Sequence, residues 1–304
     1  MTFIKVNDFY FLSVLVLIRL SRMPEWPWLR SQLIRLLGWL AYHFSRSKRR
    51  KSESGLEAEF GSDLDGDETE RIVRSSFRSF WKDSFAVLPL KQDLTKLEQA
   101  VFVGEEYLRA ALGRHQGVIV LESNSFGDRV AAKQILSQKG FQVHQVHAEN
   151  HLNGLRNEGI HSSWIREKLL NPAFEGWEKQ FVKDIIYLPE GDSLLFTRVL
   201  LRRLAQNCII CSASDGRMGQ KFLILPFLSR SRPFATGMFS LAALSKAPIL
   251  PLFCFRNREH QMQLTVDREI SVSKGNVEAS LEAYVRQLEG YVREYPDQYR
   301  NWQF

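Results

Sequence analysis

Residues 117–130, "GVIVLESNSFGDRV", contain the pattern that decides the fold. The apolar, β-branched run 117–121 predicts a buried strand, and a helical pattern follows over 127–139. The residues "SFG" (125–127) would then form the turn between strand and helix. Because α/β proteins bind ligands at the carboxyl ends of their strands, this turn is a candidate functional site.

The same alternation of strand and helix continues along the chain. Six further segments predict strands: 141–147, 184–188, 207–213, 222–225, 249–255 and 262–267. Helical patterns over 192–206 and 236–246 separate several of them. This order predicts an α/β fold with a mixed, largely parallel central sheet covered by helices.

Positive charge is concentrated at the N-terminus. Residues 1–51 contain ten lysines and arginines against two acidic residues, a net charge of +8, whereas the whole chain carries +7. The rest of the chain is therefore close to neutral, which argues against a generally basic nucleic-acid-binding fold. No cofactor and no metal ion is expected from the motifs.

The N-terminal region also has the character of a membrane-surface anchor. Residues 9–18 are apolar but too short for the roughly 20 residues that span a bilayer. Residues 26–44 place leucines at helical spacing beside tryptophan and arginine, and "RSKRRK" (46–51) follows. This combination favours residues 1–51 lying on an anionic membrane surface. A helix pair packed on its own domain, with a solvated basic tail, is the alternative.

Two further regions follow the anchor. Residues 52–67 are acidic and contain Gly and Ser, which predicts a connecting linker in loop conformation. Residues 68–304 then form the α/β domain, beginning with a helix over 68–86.

Two other strand ends carry polar residues. "SASDGRMG" (212–219) places Asp215 and Arg217 after a predicted strand. "RSRP" (230–233) lies in a region that predicts a basic loop after strand 222–225. Its Arg230 and Arg232 are candidates to contact a phosphate or the acidic face of a carrier protein.

These blocks together resemble the bacterial late acyltransferases of lipid A biosynthesis, the lauroyl/myristoyl transferases. The resemblance extends over nearly the whole chain and is most specific in "LPFLSRSRPFATG" (225–237) and "YPDQYRNWQF" (295–304). It implies an enzyme on the cytoplasmic face of the inner membrane. Such an enzyme moves a fatty acyl chain from acyl carrier protein, or another acyl thioester, to a hydroxyl of a lipid or glycolipid.

The strand-to-helix corner departs from the family pattern, which reads His-Phe-Gly-x-x-Glu or Asp. The resemblance puts Ser125 at the histidine and Val130 at the carboxylate, while Phe126 and Gly127 match. In the family mechanism an imidazole takes the proton of the attacking hydroxyl and the carboxylate orients that imidazole. Without the pair, the usual mechanism should lose a factor of about 10²–10⁴.

The candidate site residues follow from the corner, the other strand ends and the resemblance. The catalytic candidates are Ser125, Asp128 and Asp215, and the resemblance carries an aspartate at the position of Asp215. The substrate-binding candidates are Phe126, Gly127, Arg129, Arg156, Arg217, Arg230 and Arg232; of these, Arg156 matches a family arginine only through loose spacing.

Three interpretations of the departure remain open. In the first, the transferase is active with a rearranged site. Asp128 lies three residues after Ser125, and later segments contain His144, His147, His151 and His161, but the sequence does not place the substitute base among them. In the second, Ser125 at the strand-to-helix turn is an acyl-accepting nucleophile. In the third, the fold has lost the reaction and acts as a lipid- or acyl-binding scaffold in a lipid or polysaccharide pathway.

Overall fold

Val118–Glu122 (β2) is the central strand of the sheet, and all five of its side chains are buried. β-Branched residues suit a strand that is covered on both faces. Ile119 and Leu121 pack into one apolar layer, whereas Val118 and Val120 pack into the other. The strand ends at Glu122, a carboxylate at a position that is fully enclosed.

A computed structural model describes residues 27–86, 97–148, 178–188, 193–215 and 221–302. The α-helices in these ranges are α1 Pro27–Phe44, α2 Arg46–Phe60, α3 Gly66–Ala86, α4 Glu105–Leu112, α5 Arg129–Gln138, α6 Ser193–Ala205, α7 Gly237–Ser245 and α8 Val277–Glu294. The other strands are β1 Val101–Val103, β3 Val143–Ala148, β4 Asp184–Leu188, β5 Ile209–Ala213, β6 Phe222–Phe227, β7 Arg230–Ala235, β8 Ile249–Arg256 and β9 Met262–Val266.

Seven strands form one sheet in the order β1-β9-β8-β2-β5-β3-β4. β8 and β9 are antiparallel, so β1 and β9 run against the other five strands, which are parallel. Helix α5 covers one face, and α6, α7 and α8 cover the other. The predicted fold class, a mixed and largely parallel α/β sheet, is confirmed.

Two local predictions were wrong. Residues 52–60 are helical, because α2 continues through the acidic segment and buries Ser52, Gly55 and Leu56. Packing of this one face outweighs the loop signal of Gly and Ser. The region around "RSRP" is a strand, because Arg230–Ala235 pairs residue by residue with β6 in an antiparallel hairpin.

Helix α1 lies against α3. The two backbones approach closely at Gly38, where an added Cβ would lie 3.1 Å from the Cα of Arg78. Tyr42 is buried there and meets the ring of Phe77 edge-on. Among the described residues, no helix has the length and apolar character needed to cross a bilayer. The apolar run 9–18 lies outside the described residues.

The C-terminal tail after α8 returns to the strand-to-helix corner. Phe126 forms an isolated antiparallel bridge with Tyr299. Beyond it, Trp302 is buried and its ring lies 5.9 Å from that of Phe60 at the end of α2. At Gly55 an added Cβ would lie 2.3 Å from the carbonyl oxygen of Trp302. The tail therefore joins α2 to the corner.

The variant Gly55→Ala tests this packing. Within a helix, alanine is normally favoured over glycine by about 1 kcal/mol. At position 55 the contact with Trp302 must open first, so we expect the free energy of unfolding to fall by about 1–3 kcal/mol in urea denaturation. The matched control is Gly290→Ala in α8, where an added Cβ meets no atom within 4 Å and should stabilise the protein. Equal stabilisation of both variants would contradict the placement of the tail.

Candidate active site

The corner after β2 is held in shape by tight backbone packing. Gly127 has φ +73°, and a Cβ there would lie 2.3 Å from the carbonyl oxygen of Cys254 in β8. Only glycine fits this position without displacing β8. Phe126 is buried beside Phe253 and Tyr291. Phe126 and Gly127 therefore fix the corner against the core.

Asp215, two residues after the end of β5, organises the corner from the neighbouring strand. Its carboxylate accepts hydrogen bonds from the Ser123 hydroxyl at 2.6 Å, the Asn124 amide at 2.6 Å and the Ser125 amide at 3.0 Å. Burial raises the pKa of Asp215, and these hydrogen bonds offset part of that increase. Asp215 thus joins the carboxyl ends of β2 and β5.

Ser125 is enclosed by the tail. Its hydroxyl oxygen accepts a hydrogen bond from the Asn301 side chain at 2.6 Å, and its carbonyl oxygen accepts one from the Arg300 amide at 2.8 Å. Val130, which the sequence resemblance aligns with the family carboxylate, lies in the first turn of α5. In the part of the chain that the structure describes, no histidine is hydrogen-bonded to Ser125 or Asp128.

Asp128 and Arg129 lie side by side in sequence but have different partners. Asp128 caps the N-terminus of α5, because its carboxylate accepts a hydrogen bond from the Ala131 amide at 3.0 Å. Arg129 donates to the Asn124 side chain at 2.7 Å and to the Glu122 carboxylate at 2.5 Å. Arg129 therefore connects the corner to a second group of charges.

That second group is a buried charge network between α5 and the carboxyl edge of the sheet. Lys133 lies 3.3 Å from the Glu122 carboxylate and 3.2 Å from the Glu178 carboxylate, and only 2% of its side chain is exposed. His147 Nε2 lies 2.8 Å from Glu178 Oε2. The Gln145 amide donates to Glu122 at 3.0 Å. With Arg129 included, two cations match two carboxylates.

The network fixes the protonation states of its members. Burial would raise the pKa of Glu122, but Arg129 and Lys133 outweigh it and lower the value to about 2. Burial acts the same way on Glu178, yet Lys133 and His147 hold its pKa well below the ordinary range. Burial lowers the pKa of His147, and Glu178 offsets only part of that change. At neutral pH the site therefore contains a neutral imidazole against an ionised carboxylate.

The remaining predicted residues are dispersed. Arg232 donates to the Asn301 carbonyl at 3.0 Å and lies 5.8 Å from the centre of the Tyr299 ring, so it supports the tail. Arg230 is exposed on β7. Arg156 and Arg217 lie outside the described residues. Of the four histidines considered, His147 joins the network and His144 lies near Asp184, at 4.0 Å; His151 and His161 lie outside the described residues.

Sequence reasoning missed the network, although part of its signal was present. A glutamate that ends the apolar run "VIVLE" needs a buried partner. Arg129 and Lys133 are four residues apart, so they share one face of the helix that follows this strand. No comparable signal pointed to Glu178, because 56 positions separate it from Glu122 and only the order of the strands brings them together.

The fold is that of an α/β protein, and its C-terminal part is similar to a known family of acyltransferases. Residues 166–302 match the sequence model of a family described as bacterial lipid A biosynthesis acyltransferase. The matched range includes Asp215, Glu178 and the tail, and it begins after the corner and His147. No curated protein matches the chain.

The variant Lys133→Met tests the charge balance. Removing this cation leaves the two buried carboxylates with too little positive charge beside them. We therefore expect the free energy of unfolding at pH 7 to fall by about 3–5 kcal/mol. The control Lys139→Met removes an exposed lysine at the end of the same helix and should change stability by less than about 0.5 kcal/mol. Chemical denaturation of both variants provides the comparison.

The difference between wild type and Lys133→Met should depend on pH. Glu122 and Glu178 have lower pKa values in the folded state than in the unfolded chain, so their stabilisation is present above about pH 4.3 and is lost as the pH falls toward 2. Without Lys133 these folded-state pKa values rise. The stability gap should therefore be widest near pH 7 and narrow near pH 3. A constant gap would mean that Lys133 does not neutralise these carboxylates.

Proposed function

We propose that the protein transfers a fatty acyl chain from an acyl thioester, such as acyl carrier protein, to a hydroxyl of a lipid or glycolipid. The observation that carries this proposal is the family match over residues 166–302, which includes the Asp215 that holds the corner. This match supports acyl transfer in general. The donor, the acceptor and the rearranged site described below are the finer parts of the proposal.

His147 is the base in this proposal, and Glu178 orients it. The pair has the chemistry that the family pattern places at the corner, an imidazole bonded to a carboxylate, at a distance of 2.8 Å. Its carboxylate is ionised and its imidazole neutral at pH 7, as a general base requires. β3, which carries His147, is two strands from β2, so about 10 Å separates the two strand ends.

The reaction would proceed by direct transfer. The acceptor hydroxyl gives its proton to the His147 imidazole while its oxygen attacks the thioester carbonyl carbon. An ester C–O bond forms, the C–S bond breaks, and the departing thiolate takes the proton from the imidazolium. Asp215 acts as a positioning residue, because its hydrogen bonds fix the loop that contains Ser125. Asp128 contributes by capping α5.

Membrane attachment is the second part of the proposal. Helix α1 exposes Leu36, Trp39 and Phe44, whose exposed fractions are 50%, 54% and 81%. Exposed aromatic residues followed by the basic run 46–51 suit the interface of an anionic bilayer. We place the protein on the cytoplasmic face of the inner membrane, where the lipid acceptor is available.

A specific observation favours a second candidate function, a scaffold without catalysis. The hydroxyl of Ser125, which the sequence resemblance aligns with the family histidine, accepts a hydrogen bond from Asn301. The tail covers this position, and Phe126 beside it is buried in an aromatic cluster. A protein with this corner would bind an acyl chain or lipid without transferring it unless a base elsewhere does the work.

Turnover of purified full-length protein separates these candidates. The donors are acyl carrier protein thioesters of several chain lengths, and the acceptors are a panel of lipids and glycolipids in vesicles. His147→Gln retains a side-chain amide to face Glu178 but removes the base, so we expect turnover to fall by about 10²–10⁴-fold. Ser125→Ala should stay within about tenfold of wild type, and Lys139→Met should match wild type.

The outcomes answer two separate questions: which residue does the chemistry, and whether the protein is a transferase at all. If Ser125→Ala abolishes turnover while His147→Gln does not, and an acyl-serine is trapped, the protein is a transferase with Ser125 as its nucleophile. If wild type binds acyl lipid but transfers nothing to any acceptor, the scaffold is the correct function. Thermal melting of each variant identifies losses that come from unfolding.

A further inference from the structure

The surface between α1 and α3 contains a groove of about 410 Å³ that the proposed reaction does not use. Its apolar wall comes from Leu36 and Trp39, which are about half exposed. Its polar rim contains Arg35 and Arg78, together with Arg74. A groove that is apolar along one wall and cationic along the other is suited to an amphiphile with an anionic head.

The arginines of the rim differ in whether an acidic side chain neutralises their charge. Arg74 pairs with Glu70 at 2.5 Å, and its guanidinium lies 5.1 Å from the centre of the Tyr42 ring. Arg35 and Arg78 are exposed and have no acidic partner within the described ranges. The rim therefore carries an excess of two positive charges over its acidic neighbour.

We propose that this groove binds the headgroup of an anionic phospholipid. The phosphate lies between Arg35 and Arg78, and an acyl chain lies along Leu36 and Trp39. One guanidinium group can donate two parallel hydrogen bonds to two oxygens of a phosphate. Tryptophan is favoured at the depth of the lipid headgroups. The charge on the rim selects an anionic over a zwitterionic lipid, because choline would bring a second cation beside the arginines.

This inference rests on the proposed membrane attachment and deepens it by naming one site and one lipid class. It is independent of the transfer reaction, because none of the groove residues belongs to the corner or to the buried charge network. Gly38 sets the shape of the groove, since a larger residue would push α1 away from Arg78.

Co-sedimentation of the full-length protein with vesicles tests the charge. Vesicles of phosphatidylcholine with about 30% phosphatidylglycerol are compared with vesicles of pure phosphatidylcholine. The double variant Arg35→Gln/Arg78→Gln should bind the anionic vesicles about 30-fold more weakly, the factor expected for two basic residues. The control Arg71→Gln/Arg286→Gln removes the same charge from arginines paired with Glu68 and Glu282 and should lose less than about threefold. Equal losses in both double variants would overturn the proposal.

Fluorescence quenching tests the position of the lipid. The chain contains seven tryptophans, so wild type and Trp39→Phe are compared in the presence of brominated phosphatidylglycerol. The quenched fraction should fall in the variant, and it should also fall in Arg35→Gln/Arg78→Gln at a lipid concentration where both proteins are bound. If binding persists with quenching unchanged by Trp39→Phe, the protein attaches elsewhere, and the membrane proposal stands without this site. If neither vesicle binds the protein, both proposals on the membrane fail, whatever the transferase assay gives.

Two other occupants would also overturn the inference. A single-stranded oligonucleotide or an acidic peptide that protects Trp39 from a soluble quencher, in an arginine-dependent way and more strongly than the lipid does, would identify a different partner. Thermal melting of the double variant serves as the folding control, and little change is expected because both arginines are exposed.

Discussion

Buried negative charge at the carboxyl edge of the sheet is the constraint on which the rest of the site depends. Glu122 ends the central strand with its side chain enclosed, and an isolated carboxylate in that position would cost several kcal/mol. Arg129 and Lys133 from α5 compensate it, and Lys133 extends the compensation to Glu178. The helix that follows the corner is thereby fixed in rotation over the sheet, and the segment before β4 is held against it.

A second carboxylate, Asp215, solves a different problem at the same edge. In the chain between β2 and α5, some backbone amides have no hydrogen-bond partner in a strand or helix. The Asp215 carboxylate accepts hydrogen bonds from two of these amides and from the Ser123 hydroxyl. The tail completes the enclosure through Asn301 and Arg300. The corner is therefore rigid, which suits a surface that positions a substrate. Its own side chains include no imidazole, so the proposed transfer uses His147 and Glu178, two strands away.

The proposed acyl transfer and the proposed membrane attachment use different parts of the molecule, and the charges in those two parts differ in burial and pairing. The candidate active site has compensated, desolvated charges whose pKa values are fixed by neighbours. The groove between α1 and α3 has uncompensated charges that remain in water beside exposed apolar side chains. The first arrangement would hold the proposed base in one protonation state, and the second would attract the proposed anionic membrane surface from solution. A substitution can therefore remove the proposed transfer without removing the proposed lipid binding, and the reverse.

The sequence by itself determined the α/β class, because an alternation of β-branched runs with helical periodicity needs only local residues to be recognised. It also determined the position of the corner and the family resemblance of the C-terminal part. It misread 52–60 and 230–233, where packing on Trp302 and pairing with β6 outweigh the local loop signals. It could not place His147 against Glu178 or Asn301 against Ser125, because those contacts join residues 31 and 176 positions apart. Only the tertiary structure decided them: strand order and the path of the tail bring distant residues together, and no local pattern encodes that proximity.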